Sequence, residues 1–247
     1  MQGWLPANER PRDFVVDYFM LHQLSKNICR RVCWFFDRVS NRLIPNDVCQ
    51  IRLLDLNETT APEISPEFSF RFVEADELPI HVSNSAADLD DSMCNILAQP
   101  NIRCFGAFAG DALLGYAWIA SDKVSPEHNS GGHRFTGIGL KLPSDVAYLF
   151  KCFVLPEYRG RGINKQLLWQ LSQLLKHEGK SKLITTTSWL NFAFQSSSDR
   201  LGFNKVGSSV EYKFLGRRLY RWTDLNAYSV ELFRPDRHTA QPAFPGS

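Results

Sequence analysis

The sequence predicts a mixed α/β domain preceded by a helical extension. Between 68 and 222, short β-rich runs alternate with segments of helical period. At 145–178 a buried strand passes through a turn rich in glycine and arginine straight into a helix. Near the start of the chain, apolar residues return every three or four positions, as on one face of a helix.

The bulk properties restrict the function classes. The chain has 247 residues, enough for one large domain or a domain with a substantial extension. The net charge of +2 is too small for a broad nucleic-acid footprint, so no nucleic-acid partner is expected. No run reaches the roughly 20 apolar residues of a membrane-spanning helix, and the N-terminus lacks a signal-peptide layout. The expected compartment is the cytoplasm, where the six scattered cysteines would be free thiols. Cys29 and Cys33 lie four apart on an expected helix. Without a second ligand pair nearby, they read as packing residues, and no metal site is expected.

Taken in order, residues 14–40 form an amphipathic helix with Phe14, Tyr18, Leu21, Leu24, Ile28, Val32, Phe35 and Val39 on its apolar face. Its second half carries Lys26, Arg30, Arg31, Arg38 and the following Arg42 against Asp37. Two readings stand. The helix packs on the main domain with a solvated basic face, or it contacts an anionic membrane surface or an acidic carrier protein. A strand at 50–56 and a linker at 57–66, which holds two prolines, complete an extension of residues 1–66. The main domain is expected over 67–233, followed by a disordered tail over 234–247.

Within the main domain, 68–73 is a strand, and 77–84 and 87–98 are helical candidates. Segments 103–109 and 112–121 form a hairpin around Gly110-Asp111. A loop covers 122–135, and 137–142 adds a strand. The strand at 145–155 ends at Pro156, which has no N–H for a ladder. A helix at 162–177 places Ile163, Leu167, Leu171 and Leu174 on one face, and Gly179 suits its left-handed exit. A β-branched strand at 182–188 and a helix at 191–201, closed by Gly202, follow. A last hairpin joins 204–214 to 217–222.

The junction after the 145–155 strand carries the chemistry. The first N–H groups of a helix lack internal partners, and the helix dipole makes its N-terminus an anion site. Glycines allow a large anion close to the backbone. Arg159, Arg161 and Lys165 cluster there against Glu157 alone. Cations are unfavourable at a helix N-terminus, so their grouping points to a polyanion such as a pyrophosphate. A solvated basic turn is the alternative. No Gly-Lys-Ser/Thr follows and no G-x-G-x-x-G is present, which excludes a Walker loop and a dinucleotide fingerprint.

The run Val154-Leu155-Pro156-Glu157-Tyr158-Arg159-Gly160-Arg161-Gly162-Ile163-Asn164 resembles the acyl-CoA-binding motif of the GNAT acyltransferase superfamily. The Leu167-Leu168 pair, and Asn191 followed at the usual distance by Leu201-Gly202-Phe203, are similar to the same family. The resemblance runs from 68 to 222. It implies a central, mostly antiparallel twisted sheet with a splayed parallel strand pair and flanking helices. It also implies acetyl-CoA or another acyl-CoA as co-substrate. The pantetheine arm would bond backbone groups of Phe153 and Val154, the pyrophosphate would lie on the N–H groups of Arg159, Gly160, Arg161, Gly162, Ile163 and Asn164, and Asn191 would contribute from the next helix. The implied reaction is N-acylation, acetylation in the simplest case, of a small-molecule or protein amine by direct attack. A catalytically weak acyl-CoA sensor or scaffold is the alternative.

Two positions depart from the pattern. Asn164 stands where glycine or alanine is usual, and its amide could donate to the phosphate. Ser198 stands where many members carry a tyrosine that protonates the leaving thiolate. Ser198 and Tyr148 are therefore the candidate catalytic residues. Glu74, Glu77, His81, His128 and His133 are further candidates for a general base. By strand alternation Tyr148 and Lys151 point to opposite faces unless the strand bulges. Cys152 reads as a packing thiol.

Overall fold

The computed structural model describes residues 46–82, 87–125, 139–214 and 217–233. Two compact units are distinguished, 1–46 and 47–247. Apart from Asn46, the first lies outside the described residues, and with it the helix expected at 14–40. The tail expected over 234–247 also lies outside them.

The strands are β1 (Asn46–Asp55), β2 (Ser69–Phe72), β3 (Ile102–Ala109), β4 (Ala112–Ala120), β5 (Lys123–Val124), β6 (Gly139–Lys141), β7 (Val146–Val154), β8 (Lys182–Ser188), β9 (Asn204–Phe214), β10 (Arg217–Trp222) and β11 (Glu231–Phe233). The helices are α1 (Leu78–Val82), α2 (Asp91–Leu97), α3 (Ile163–His177) and α4 (Phe192–Arg200). Eight strands form one sheet in the order β10-β9-β1-β8-β7-β4-β3-β2, and β11-β6-β5 form a small second sheet. β7 and β8 are parallel. The pairs β1–β8, β2–β3, β3–β4, β4–β7 and β9–β10 are antiparallel. This is the mixed sheet with a parallel pair that the family resemblance implies.

β1 joins the sheet between β9 and β8, although the sequence groups it with the extension. Its alternation shows why. Cys49, Ile51 and Leu53 are buried, while Gln50 and Arg52 turn to the opposite face. Ile51 and Leu53 enter the cluster on one side of the sheet and Leu54 the cluster on the other, so both faces of β1 are covered, as in the interior of a sheet. The segment expected as a free linker is tied to α3: Ser65 N donates to Gln166 Oε1 at 2.9 Å, and Gln173 Nε2 donates to Thr59 Oγ1 at 3.3 Å.

The sheet divides two hydrophobic clusters. One contains Tyr116, Trp118, Tyr148 and Ile184 with Leu78 of α1 and the apolar side chains of α2. The other contains Phe105, Ala117, Leu149 and Leu183 with α3, and Phe194 of α4 packs against it. α3 presents Ile163, Leu167, Leu168, Leu171 and Leu175 to the sheet. Each such burial contributes about 1.5–3 kcal/mol. Leu174, expected on this face, is 38% exposed, and Leu175 takes its place. The buried face centres on Leu171, and at about 100° per residue Leu175 stands about 40° from that line whereas Leu174 stands about 60° to its other side. The helix closes at Gly179, φ 82°, with Gly179 N bonded to Lys176 O and Lys180 N to Leu175 O.

α2 begins at Asp91 rather than 87, because Asp88 has φ 51° and breaks the helical run. β5 falls inside the expected loop, and β11 has no counterpart in the sequence reading. Strands of two and three residues are too short to show alternation.

Candidate active site

The opening of the sheet is visible in its register. β7 pairs with β8 only from Val146 to Leu149, opposite Lys182 to Thr185. From Phe150 to Val154 its recorded ladder is with β4 alone. The partner strand, meanwhile, stays bonded to β1 as far as Ser188. The two parallel strands therefore part company after Leu149. Burial follows the same division: β7 is buried from Val146 to Leu149 and half-buried from Phe150 to Val154.

A bulge sits where the strands separate. Trp118 pairs with Lys151 and Ile119 with Leu149, leaving Phe150 as the extra residue. This settles the alternation between Tyr148 and Lys151. The extra residue restores them to one face: Tyr148 joins the cluster of Tyr116 and Trp118, and Lys151 Nζ lies 5.8 Å from the Tyr116 ring centroid. Lys151 Nζ donates to Asp88 O at 2.6 Å, and Tyr116 Oη donates to Ala87 O and Asp88 O at 2.9 and 3.0 Å. These bonds pin the segment before α2 against the bulge.

The open half of β7 leads into the glycine turn. Gly160 and Gly162 have φ 81° and 74°, and Gly162 is the N-cap of α3. A Cβ at Gly160 would meet nothing within 4 Å, and one at Gly162 only Gln166 Nε2 at 3.8 Å. The space over both glycines is open, which fits a large anion set against the turn. The first intrahelical N–H bond of α3 runs from Gln166 to Gly162 O, so the N–H groups of Ile163, Asn164 and Lys165 precede the ladder. Ile163 is buried, while Arg159, Arg161 and Lys165 are exposed. Arg159 folds back: its Nε donates to Val154 O at 3.0 Å, and its guanidinium lies 5.3 Å from the Phe153 ring centroid. Arg161 lies 5.3 Å from the Tyr158 ring centroid.

Asn191 caps α4, its Oδ1 accepting from Phe194 N at 3.1 Å. Asn164, expected to point its amide toward a phosphate, donates from Nδ2 to Ser197 Oγ at 3.1 Å and accepts at Oδ1 from the Cys152 thiol at 2.9 Å. Burial pushes the Cys152 thiol up to about 12. Ser198 is 1% exposed, and its hydroxyl donates to Gln195 O at 2.9 Å. Tyr148 is fully buried with its hydroxyl 2.6 Å from Thr186 Oγ1, and burial raises its pKa.

The other candidates are dispersed. Glu77 is bound bidentately by Arg71, a hydrogen-bonded pairing that holds its carboxyl below the usual range. His81 borders a cavity of about 320 Å³ with Asp111, Glu157 and Tyr158, and burial lowers its pKa. Glu74 is exposed. His128 and His133 lie outside the described residues, as do Cys29 and Cys33.

The sequence reading missed the polar network that holds α4. Arg52 Nη2 is ion-paired with Asp199 and donates to Phe203 O at 3.0 Å. Its Nη1 donates to Gln50 Oε1, and Gln50 Nε2 to Gln195 Oε1, both at 3.2 Å. Gln195 Nε2 in turn donates to Ser188 O and Trp189 O at 3.0 and 2.9 Å. The available signal was Gln50 and Arg52 at alternate positions of an otherwise apolar strand.

With this geometry in place, comparison with known families decides the assignment. The Acetyltransferase (GNAT) family model matches residues 68–203, more than half of the chain. The chain belongs to the GNAT acetyltransferase family. No curated protein matches. Among solved structures, this GNAT chain is similar to a Drosophila malonogaster structural-genomics protein, with 17% identity, TM-score 0.47, and coverage of 77% of this chain and 58% of that one. It is similar to a tandem GNAT protein from the clavulanic acid biosynthesis pathway, with 16% identity, TM-score 0.46, and coverage of 77% and 55%. It is also similar to AAC(6')-Iy in complex with the bisubstrate analog CoA-S-monomethyl-acetylneamine, with 23% identity, TM-score 0.41, and coverage of 56% and 91%. The match thus spans less than two thirds of the first two of these proteins. Among the described residues, no helix of this GNAT chain is long and apolar enough to cross a membrane.

Proposed function

We propose that this GNAT chain transfers an acyl group, acetyl in the simplest case, from acyl-CoA to an amine by direct attack. The observation that carries the reading is the continuity of the parted β7 edge with the left-handed glycine turn at the start of α3. A pantetheine arm would lie along Phe150 to Val154. The pyrophosphate would rest on the N–H groups from Arg159 to Asn164, with Arg159 and Arg161 adding charge. Arg159 would leave Val154 O as the arm takes that acceptor. Asn191 would flank the arm from α4.

Tyr148 belongs to this reading as a buried hydroxyl beside the bulge, and Ser198 as the hydroxyl aligned with the usual acid. A small-molecule amine and a protein amine fit the same chemistry. A second reading has a specific observation behind it: the Ser198 proton is committed to Gln195 O, which suits an acyl-CoA sensor or scaffold with little turnover.

One experiment separates them. The full chain is incubated with acetyl-CoA and longer acyl-CoAs against a panel of primary amines, while free thiol and thermal shift are followed. Amine-dependent thiol release supports transfer. Thermal stabilisation without thiol release supports the sensor. Absence of both refutes the acyl-CoA site.

A further inference from the structure

Three side chains from three elements meet across the mouth of the parted strands: Cys152 on the open half of β7, Asn164 in the first turn of α3, and Ser197 on α4. Their bonds have a single direction. The Cys152 thiol donates to Asn164 Oδ1 at 2.9 Å, and Asn164 Nδ2 donates to Ser197 Oγ at 3.1 Å. Burial keeps Cys152 protonated, so the amide turns its oxygen to the thiol and its nitrogen to the serine. Ser197 thus accepts at its oxygen, and its own O–H remains to be given. Among the described residues no protein group accepts it. Ser198 differs, because its O–H is spent on Gln195 O. Ser197 is also half-exposed, whereas Ser198 is buried.

We propose that Ser197, oriented by Asn164, donates the hydrogen bond that stabilises the thiolate leaving the acyl donor. This rests on the acyl-transfer reading above. The amine nitrogen forms the new C–N bond, and the C–S electron pair departs with sulfur. The surplus proton on nitrogen passes to solvent. Ser197 stays protonated throughout, since an aliphatic hydroxyl is a far weaker acid than a thiol, and the released thiolate takes its proton from solvent. Asn164 is a positioning residue. Its presence where the family usually has glycine or alanine accompanies the loss of the tyrosine at position 198, and the two departures compensate one another.

The test uses the full chain, acetyl-CoA and primary amines, with kcat, KM and thermal stability measured for each variant. Ser197→Ala lowers kcat about tenfold or more, as loss of a transition-state donor does, while KM for acetyl-CoA stays within about twofold. Ser197→Thr, which keeps the hydroxyl, recovers most of kcat. Ser196→Ala on the same helix leaves kcat unchanged. Asn164→Ala lowers kcat, and the double variant Asn164→Ala/Ser197→Ala is no slower than Ser197→Ala alone. If Ser197→Ala retains kcat while the parent turns over, the proposal is overturned and acyl transfer stands. If Ser197→Ala and Ser197→Thr lose kcat and stability together, the role is structural and the proposal is again overturned. A parent protein that acetyl-CoA stabilises, but that releases no thiol with any amine, overturns the acyl-transfer reading and this proposal with it, and leaves the sensor.

Discussion

Replacing Gly162 with alanine perturbs the backbone and the proposed acyl-CoA site by separable amounts. Its φ of 74° lies in the left-handed region, which costs a residue with a Cβ about 1–2 kcal/mol. No crowding adds to this, because the nearest atom to the new methyl is Gln166 Nε2 at 3.8 Å. At about 2–4 °C per kcal/mol for a domain of this size, the melting temperature falls by about 2–8 °C without ligand. The methyl then occupies the space assigned to the pyrophosphate. For the parent, acetyl-CoA at about 100 times its Kd contributes about 2.7 kcal/mol, or about 5–11 °C. In Gly162→Ala a tenfold loss of affinity cuts that increment roughly in half. The assay is thermal unfolding of both proteins with and without acetyl-CoA. A variant that melts lower yet keeps the full ligand-dependent increment refutes the placement of the anion on this turn. An unchanged melting temperature without ligand refutes the left-handed backbone.

Other perturbations test the scaffold. Arg52→Met removes the ion pair with Asp199 and the bond to Phe203 O; because Asp199 is mostly exposed, the loss is about 1–3 kcal/mol in denaturant unfolding rather than the larger value for a fully buried pair. Glu178 is bound bidentately by Arg103, and this hydrogen bonding lowers its pKa. Its contribution is therefore present above the ordinary value of 4.5 and is lost as the pH falls through the lower folded-state value. Solvent screening limits the pair to about 1 kcal/mol, so in Arg103→Ala the advantage of neutral over acidic pH shrinks by no more than that in pH-dependent melting. Cys152, held as a thiol up to about 12, stays unalkylated by iodoacetamide at pH 8 in the folded protein and reacts after unfolding, as read by peptide mass mapping.

Much of the fold was legible because punctuation and period agreed. Gly110, Gly179 and Gly202 each fall at positive φ where a turn or helix end was expected, the β-rich runs of β3 and β4 marked a hairpin, and the apolar content of β7 marked a buried strand. The glycine turn was legible for the same reason, since a close approach and a left-handed backbone both require residues without a Cβ. What stayed hidden depends on contacts distant in sequence. Nothing local tells that β1 pairs with β8, or that Phe150 is extruded between Leu149 and Lys151. The partners of Asn164 lie twelve residues before it and thirty-three after it, so spacing could suggest a phosphate contact and only the fold could reveal Cys152 and Ser197.

The position of β1 bears on how this chain can be divided. The family match begins at residue 68, and a fragment cut there would discard a strand from the middle of the sheet. What remained would be two partial sheets, β10-β9 and β8-β7-β4-β3-β2, each with a raw edge facing the other. Such edges recruit whatever extended chain is available, including another copy of the fragment. The fragment would therefore self-associate, whereas a peptide spanning 46–58 added during refolding would slot into the gap and return it to monomer.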